Sequence, residues 1–201
     1  MLSSTDMKHT ILIIDGHPDP SANRLIHALA DAYKQGAEQA HHEVRVVRLA
    51  DLTFPLLRSQ SDYEHGEPVA DVRQCQHLMD WATHVVIFYP LWLGSMPAML
   101  KALLEQTMRP GFAFSTKQLG RWRVKFMSRK SARIVVTMGM PAFVYRWYFR
   151  AHSLKSLQRN ILKFVGFGRV RSTIIGSAGS MSRAQREDWL KSVRELGQAA
   201  A

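Results

Sequence analysis

The sequence predicts an α/β fold in which a doubly wound sheet of five parallel strands has helices on both faces, in three layers. Short apolar runs alternate along the chain with segments whose apolar residues recur at helical spacing. The resulting order, β-α-β-α-β-α-β-α-β, is typical of doubly wound sheets. No repeat, low-complexity tract or linker interrupts it. We therefore predict a single domain over residues 1–201, with residues 1–8 as a short polar N-terminal extension.

The predicted strands differ in how deeply we expect them to be buried. They occupy residues 10–14, 43–49, 84–89, 132–137 and 169–175. The first, TILII, shows no polar alternation, as expected for a strand covered on both faces. The second, EVRVVRL, alternates apolar and polar residues and is predicted to lie at an edge of the sheet.

The predicted helices fill the intervals between strands. Ser21 is a suitable N-cap for the first helix, and Pro97 suits the first turn of the helix after the third strand. Further helices are predicted over residues 71–82, 154–165 and 182–196.

Composition places the chain among ordinary globular proteins. Of its residues 46% are hydrophobic and 21% charged, and Cys75 is the only cysteine. A lone cysteine cannot form an internal disulfide, so a buried thiol in a reducing compartment is predicted. With no secretory signal and no apolar run of membrane-spanning length, we predict a cytoplasmic protein, with association at the inner membrane face left open.

Charge is distributed unevenly along the chain. Residues 106–186 carry 17 of the 27 Lys and Arg and none of the 16 Asp and Glu. Such a basic segment indicates an anionic partner. A membrane surface fits the mixed aromatics and cations of WYFRAHSLKSLQRNILKF. The alternatives are a solvated face, an acidic protein partner and recognition of the 2′-phosphate of NADPH, whereas no nucleic-acid motif accompanies the charge.

Three loops are expected to form the ligand site. In doubly wound sheets ligands bind beyond the carboxyl ends of the strands, which directs attention to residues 15–23, 89–96 and 138–152. The first loop, DGHPDPSANR, is neither a G-x-G-x-x-G fingerprint nor a P-loop. It offers amides at a helix start beside Ser21 and Asn23, which suits either a phosphate or plain helix capping.

Two stretches carry a family resemblance. ILIIDGHPDPSANRLIHAL and FYPLWLGSMPAMLKALLEQTMRPGFAF resemble, in order and separation, motifs of the flavodoxin-like NAD(P)H:quinone oxidoreductases. The resemblance covers most of the chain. It implies a flavodoxin-like sheet of strand order 2-1-3-4-5, FMN or FAD as cofactor, NAD(P)H as hydride donor and a homodimer, to whose site residues 54–67 of the partner chain contribute.

The resemblance also implies the residues of the flavin site. Those around the ribityl phosphate would be His17, Ser21, Asn23 and Leu25. Those along the ring would be Pro90, Leu91, Trp92, Leu93, Gly94 and Ser95, with backbone N–H groups on the ring's polar edge. Thr137 and Gly139 match the family's Thr-Thr-Gly-Gly, whereas Met138 and Met140 depart from it and put the contacts to the pyrimidine edge in question.

Substrate residues are implied in the same way. Tyr145 and His152 fall at or near a tyrosine and a histidine that stabilise developing negative charge, with packing and a helix start as the alternatives. Phe112 and Phe114 match aromatics of the substrate slot, with the core as the alternative. His27, His41 and His42 are interpreted as surface or helix-face residues, and no metal site or hydrolase triad is predicted.

The implied reaction is a two-electron ping-pong hydride transfer through flavin N5, from NAD(P)H to a quinone or another acceptor. An alternative is a regulatory flavodoxin-like subunit that binds a membrane transport protein through its basic segment. A one-electron carrier is disfavoured because such proteins are typically acidic with a hydroxyl-rich phosphate loop.

Overall fold

The computed structural model describes residues 8–115 and 127–201. Two parts of the sequence-based expectations lie outside the described residues. These are residues 1–7, which form nearly all of the predicted N-terminal extension, and residues 116–126, which belong to the basic segment.

The sheet has five parallel strands in the order β2-β1-β3-β4-β5, so the predicted fold and strand order are confirmed. The strands are β1 Thr10–Asp15, β2 Glu43–Arg48, β3 His84–Pro90, β4 Ser131–Thr137 and β5 Val170–Ile175. β2 lies at an edge, as its alternating pattern predicts, while every residue of β3 is buried. All five predicted strands exist within two residues of their expected bounds.

Helices connect the strands. They are α1 Leu25–Gln39, α2 Gln60–His65, α3 Ala70–Trp81, α4 Ala98–Thr107, α5 Ala142–Trp147, α6 His152–Ser156, α7 Lys163–Val165 and α8 Arg183–Gln198. A 3₁₀ turn covers Leu49–Asp51, and a π-helical segment over Leu157–Leu162 joins α6 to α7. The predicted helix over 154–165 is therefore one continuous helical stretch with a widened middle.

Alternating side chains of the strands build two cores. Leu12, Val85 and Ile134 point to the face packed by α3, α4 and the helical stretch from α6 to α7. Ile13, Val86 and Val135 point to the face packed by α1 and α8. Because strand side chains alternate with a period of two, continuous apolar runs are required to fill both cores.

The start of the first helix is a correction. Ser21 does not cap α1, which begins at Leu25 after Arg24 with no side-chain cap. The Ser21 amide is drawn instead to the Asp19 carboxylate, 2.9 Å away, so residues 21–24 remain part of the loop. Pro97 directly precedes α4, close to where the sequence places it. The short helices α2 and α5 are not predicted from the sequence.

Helices α1 and α8 approach each other closely through two glycines. A Cβ on Gly36 would collide with the Arg194 carbonyl oxygen, and one on Gly197 would collide with that of Tyr33. The absent side chains let the two backbones touch. Polar pairs flank the crossing, with Gln198 bonded to Gln39 at 3.2 Å and Arg194 to Gln35 at 3.2 Å.

Burial shifts the pKa values of two ionisable groups, one on helix α3 and one on strand β3. Burial raises the pKa of Cys75 to about 11, with a smaller contribution from Asp71, which agrees with the predicted buried thiol. His84, at the start of β3, is 2% exposed, and its Nδ1 lies 2.7 Å from the Ser131 hydroxyl. Burial lowers the pKa of His84 to about 3, helped by the nearby positive side chains.

The helix crossing gives a first prediction. Gly36→Ala should lower the free energy of unfolding by about 2 kcal/mol, because overpacking outweighs the roughly 1 kcal/mol that alanine adds to helix propensity. Urea unfolding measures the change. Gly179→Ala is the matched control, since no atom lies within 4 Å of a Cβ built there. Equal stability of the two variants would contradict the close crossing.

His84 gives a second prediction. Its folded pKa of about 3 lies below the ordinary 6.5, so the unfolded chain binds the proton more readily. The stability that neutral His84 contributes is complete above pH 6.5 and is lost as the pH falls from 6.5 towards 3. Between pH 7.5 and 5 the loss should be about 2 kcal/mol.

The measurement is urea unfolding at both pH values. His84→Asn should lose less stability on acidification than the unmodified protein, whereas His77→Asn, at an exposed histidine of α3, should match it. An unchanged pH dependence in His84→Asn would show that other groups cause the acid sensitivity.

Candidate functional site

Three loops converge beyond the carboxyl ends of β1, β3 and β4. Gly16, after β1, donates its amide to the Phe88 carbonyl at 2.7 Å. Leu91, after β3, donates to the Thr137 carbonyl at 2.7 Å, and Met138, after β4, donates to Ile175 at 2.9 Å. In each case the first residue after the strand donates one more hydrogen bond to the neighbouring strand. These bonds hold the starts of the three loops at one edge of the sheet.

A buried carboxylate and a histidine organise the first loop. Asp15, the last residue of β1, is 1% exposed and hydrogen-bonds to His27 Nδ1 of α1. The other ring nitrogen of His27, Nε2, lies 2.9 Å from the Asp19 carbonyl oxygen. A carbonyl oxygen can only accept, so the ring donates from Nε2 to Asp19, while Nδ1 forms the bond to the Asp15 carboxyl group. Of the two alternatives for His27, a surface or a helix-face residue, the second holds, because His27 lies on a buried face of α1.

Asp19 forms the second fixed point of this loop. Its carboxylate accepts from the Ser21 amide at 2.9 Å and from Arg24 Nε at 2.8 Å. Hydrogen bonds from the Ser21 side chain and amide, and then from Arg24, hold the pKa of Asp19 well below its usual range. The loop consequently carries an ionised, already paired carboxylate.

These bonds leave other amides of the first loop open. Within the described ranges, 8–115 and 127–201, the N–H groups of Ala22 and Asn23 donate to no protein atom. They lie directly before the N-terminus of α1, where the helix dipole favours negative charge. Ser21 and Asn23 are exposed here, as a binding role requires, while Leu25 is half-buried.

His17 links the first loop to the second. Its Nδ1 accepts the Asp19 amide at 3.0 Å, so the ring proton is on Nε2. The ring meets the edge of Trp92 at a centroid distance of 5.5 Å. Burial lowers the pKa of His17, with neighbouring His27 adding to the effect, which keeps the ring neutral.

The second loop is a tight turn over residues 92–95. Trp92 donates to the Ser95 carbonyl at 2.8 Å and Ser95 donates back to Trp92 at 2.9 Å. Leu93 and Gly94, between them, have φ values of 46° and 78°, the left-handed conformation of a type I′ turn. Leucine at such a position is uncommon, and its side chain is fully exposed.

This turn corrects the expected donors. Pro90 has no N–H, is buried and ends β3 opposite Thr137, while the amides of Leu91, Trp92 and Ser95 are used within the fold. Within the turn over residues 92–95, Leu93 and Gly94 keep amides that donate to no atom of the described residues. The outward-facing donors of the loop are therefore two neighbouring groups rather than a row of six residues.

The third loop adds a comparable pair. Thr137 is buried at the end of β4, and Gly139 is exposed with open space where a Cβ would lie. Met138 is bonded through its amide to Ile175 and through its carbonyl to Ala178. The amides of Gly139 and Met140 donate to no atom of the described residues. Met138 is buried in the core with its backbone groups bonded, so the open amides of this loop are those of the two residues after it.

Comparison with known proteins agrees with this architecture. The family model Flavodoxin_2, described as a flavodoxin-like fold, matches residues 9–196. The chain belongs to this family. Among curated proteins, a ribosyldihydronicotinamide dehydrogenase-like protein traD of Penicillium crustosum is 27% identical over 64% of this chain. The match spans 57% of that relative's length.

Solved structures resemble the fold of this Flavodoxin_2 member over nearly the whole chain. An NAD(P)H:quinone oxidoreductase from Methanothermobacter marburgensis superposes with a TM-score of 0.78 at 22% identity, covering 96% of each chain. An FMN-dependent NADH-azoreductase from Bacillus anthracis, in complex with FMN, superposes with a TM-score of 0.71 at 14% identity. That superposition covers 94% of this chain and 97% of the azoreductase.

Tyr145 and His152, the residues implied to be catalytic, differ in accessibility. Tyr145 is 1% exposed, and its hydroxyl accepts the Leu154 amide at 3.1 Å. Burial raises the pKa of Tyr145, so its proton stays on the ring oxygen. His152 is exposed at the start of α6. Tyr145 thus holds α6 through its hydrogen bond to Leu154. A contact of Tyr145 or His152 with substrate stays a prediction.

Phe112 and Phe114 lie further along the same face. Phe114 is buried, meets Phe164 edge to face at 5.4 Å and lines a cavity of about 170 Å³ with Leu104, Met108 and Ile161. Phe112 is half-buried against the core. The expected substrate slot stays a prediction for both residues.

Residues 54–67 are held by their own chain. Arg109, 5% exposed, donates to the Gly66 carbonyl at 2.9 Å and also bonds the Asp62 carbonyl. Gln106 of α4 donates to Pro55 at 2.7 Å. A contribution of this segment to a second protomer stays a prediction.

The sequence analysis did not single out Asp15, Asp19 and Arg24, nor the hydrogen bonds that His27 forms in the first loop. Asp15 follows a buried apolar run, and a carboxylate at that position is a signal for a paired or functional group. Over the part of the chain that the structure describes, no group of three His, Cys, Asp or Glu is placed to hold a metal ion.

The buried Asp15–His27 pair gives a third prediction. His27→Leu should lower the free energy of unfolding by about 3 kcal/mol, because it strands a buried carboxylate. Asp15→Asn combined with His27→Leu should cost less than the sum of the two single changes. Urea unfolding of the four proteins measures this coupling, and additivity within about 0.5 kcal/mol would contradict the paired arrangement.

Proposed function

We propose that this protein is a flavin-dependent NAD(P)H oxidoreductase that reduces quinones or similar planar acceptors. The supporting observation is the set of three unbonded amide pairs at one edge of the sheet. They are Ala22 with Asn23, Leu93 with Gly94, and Gly139 with Met140. The names of the similar proteins, a ribosyldihydronicotinamide dehydrogenase-like protein, an NAD(P)H:quinone oxidoreductase and an FMN-dependent NADH-azoreductase, agree with this proposal.

The residues fit a flavin by the chemistry of its parts. A flavin phosphate needs donors at a helix N-terminus, which Ala22 and Asn23 supply without any cation. The flat ring needs an apolar wall and a few amides, which Trp92 and the turn at Gly94 supply. Open space at Gly94 and Gly139, where a Cβ would meet no atom within 4 Å, leaves room for such a body.

The protein's own part in the reaction is binding and orientation. Bound flavin would supply the hydride chemistry, accepting from NAD(P)H and returning two electrons to the acceptor in a second binding event. Neutral His17 holds loops one and two together through Asp19 and Trp92.

The direct experiment supplies FMN or FAD to purified protein and follows the flavin absorbance band without oxygen. We expect NADH or NADPH to bleach the band and a water-soluble quinone to restore it. Protein that retains neither flavin would overturn the proposal. Protein that binds flavin but is reduced by neither donor would replace it with a carrier or regulatory role.

The first loop gives a fourth prediction. Asn23→Asp should weaken flavin binding roughly tenfold, since it sets a negative charge beside the phosphate donors. Fluorescence titration with FMN measures the change. Asn160→Asp makes the same substitution on the exposed π-helical segment and should leave binding unchanged. Equal affinities for the two variants would remove the first loop from the site.

A further inference from the structure

Large apolar side chains are exposed unevenly over the described surface. Nine such side chains are exposed, and six of them fall in two short segments, residues 92–93 and 143–149. Within the second segment Phe143 is 70% exposed, Trp147 88% and Tyr148 80%. Soluble surfaces rarely carry contiguous apolar groups of this size without a partner.

The two segments are connected. The Ser153 hydroxyl donates to the Ser95 hydroxyl at 3.2 Å, which ties the turn bearing Leu93 to the start of α6. Phe143 and Trp147 are four residues apart on α5 and lie on one side of that helix. The rings of Tyr148 and Phe149 meet edge to face at 4.9 Å. We call Leu93, Phe143, Trp147, Tyr148 and Phe149 the aromatic patch.

Cations lie among these rings and acids do not. Arg146 is exposed within the second segment and Arg150 directly after it, and Lys155 and Arg159 follow on the next helical stretch. No Asp or Glu occurs between Glu105 and Glu187. Apolar rings beside free cations are the two features that an anionic lipid surface binds together, the rings entering the headgroup layer and the cations pairing with headgroup charge.

The backbone keeps the aromatic patch turned outward. Arg150 and Ala151 both have φ values of 50°, so two consecutive non-glycine residues are left-handed directly after the patch. The amide of Ala151 donates to the Tyr145 carbonyl at 3.0 Å, and the buried Tyr145 hydroxyl accepts from Leu154. The inner side of α5 is thus anchored through Tyr145, and the neighbouring rings cannot fold back into the core.

We propose that the aromatic patch, with Arg146 and Arg150, docks this protein on the surface of an anionic lipid bilayer. No described helix is long and apolar enough to cross a membrane, so the contact would be peripheral. A second copy of the chain is the competing occupant, and the test below distinguishes it from lipid. The proposal does not depend on flavin binding or on the reaction.

The test is flotation of the full chain with vesicles. One set is phosphatidylcholine alone, and the other is an equal mixture of phosphatidylcholine and phosphatidylglycerol, each at low and high salt. We expect binding to the anionic vesicles that weakens as salt screens the cations, and little binding to the neutral ones. Absence of binding to anionic vesicles at low salt would overturn the proposal.

Two variants locate the contact. Arg146→Gln with Arg150→Gln should weaken binding about thirtyfold, at roughly fivefold for each cation removed. Its matched control is Arg169→Gln with Arg171→Gln. These two exposed cations lie at the amino end of β5, whereas the patch follows the carboxyl ends of the strands. Equal losses in both pairs would reduce the effect to net charge and overturn the assignment to the patch.

Phe143→Ser with Trp147→Ser tests the apolar part, with Leu56→Ser as its exposed control, and far-ultraviolet circular dichroism verifies folding. The double variant should lose at least tenfold in vesicle affinity, since each ring contributes buried apolar area. Light scattering tests the second copy. Patch variants that change the oligomeric state while vesicle binding stays intact would assign the surface to self-association instead.

Discussion

The pairing of β3 with β4 through their last residues is the constraint on which the site depends. Pro90 closes β3 opposite Thr137, and the next amide, that of Leu91, donates to the Thr137 carbonyl as the last bond of the parallel ladder. The ladder therefore stops at a fixed residue, and the chain reverses at once into the left-handed turn at Leu93 and Gly94. The loops after β1 and β4 are positioned against that end point. A register shift of one residue in β3 would move the turn and would place each β3 side chain on the opposite face of the sheet.

The sheet could be predicted from sequence because its physics is local. Runs such as Ile11 to Ile14 are apolar at every position, which only a strand covered on both faces tolerates. The strand order came from the family resemblance rather than from periodicity. Short helices such as α2 escaped prediction because they are fixed by tertiary contacts, here the hydrogen bonds of Arg109 to the end of α2, rather than by their own pattern.

The candidate site was predicted by location but only partly by contact. Each of the three loops lies where the rule for doubly wound sheets places it. The sequence does not show which amides stay without an acceptor, since that depends on which oxygen atoms the folded loop brings close to each amide. Asp15 and His27, which are twelve residues apart, are hydrogen-bonded in the structure. Ser21 has the sequence position of a helix cap, but its amide donates to the Asp19 carboxylate. Position in the fold was readable, while hydrogen-bond partners were not.

The close crossing of α1 and α8 has a consequence for synthesis on the ribosome. The α1 face of the sheet is closed by a helix more than 140 residues later, through Gly36 and Gly197. Until α8 emerges, the side of α1 that carries Gly36 and Ala37 has no partner, and a nascent chain exposes part of its core. Contacts of such long sequence separation also slow folding. The order of translation therefore makes α8 the element that completes the domain.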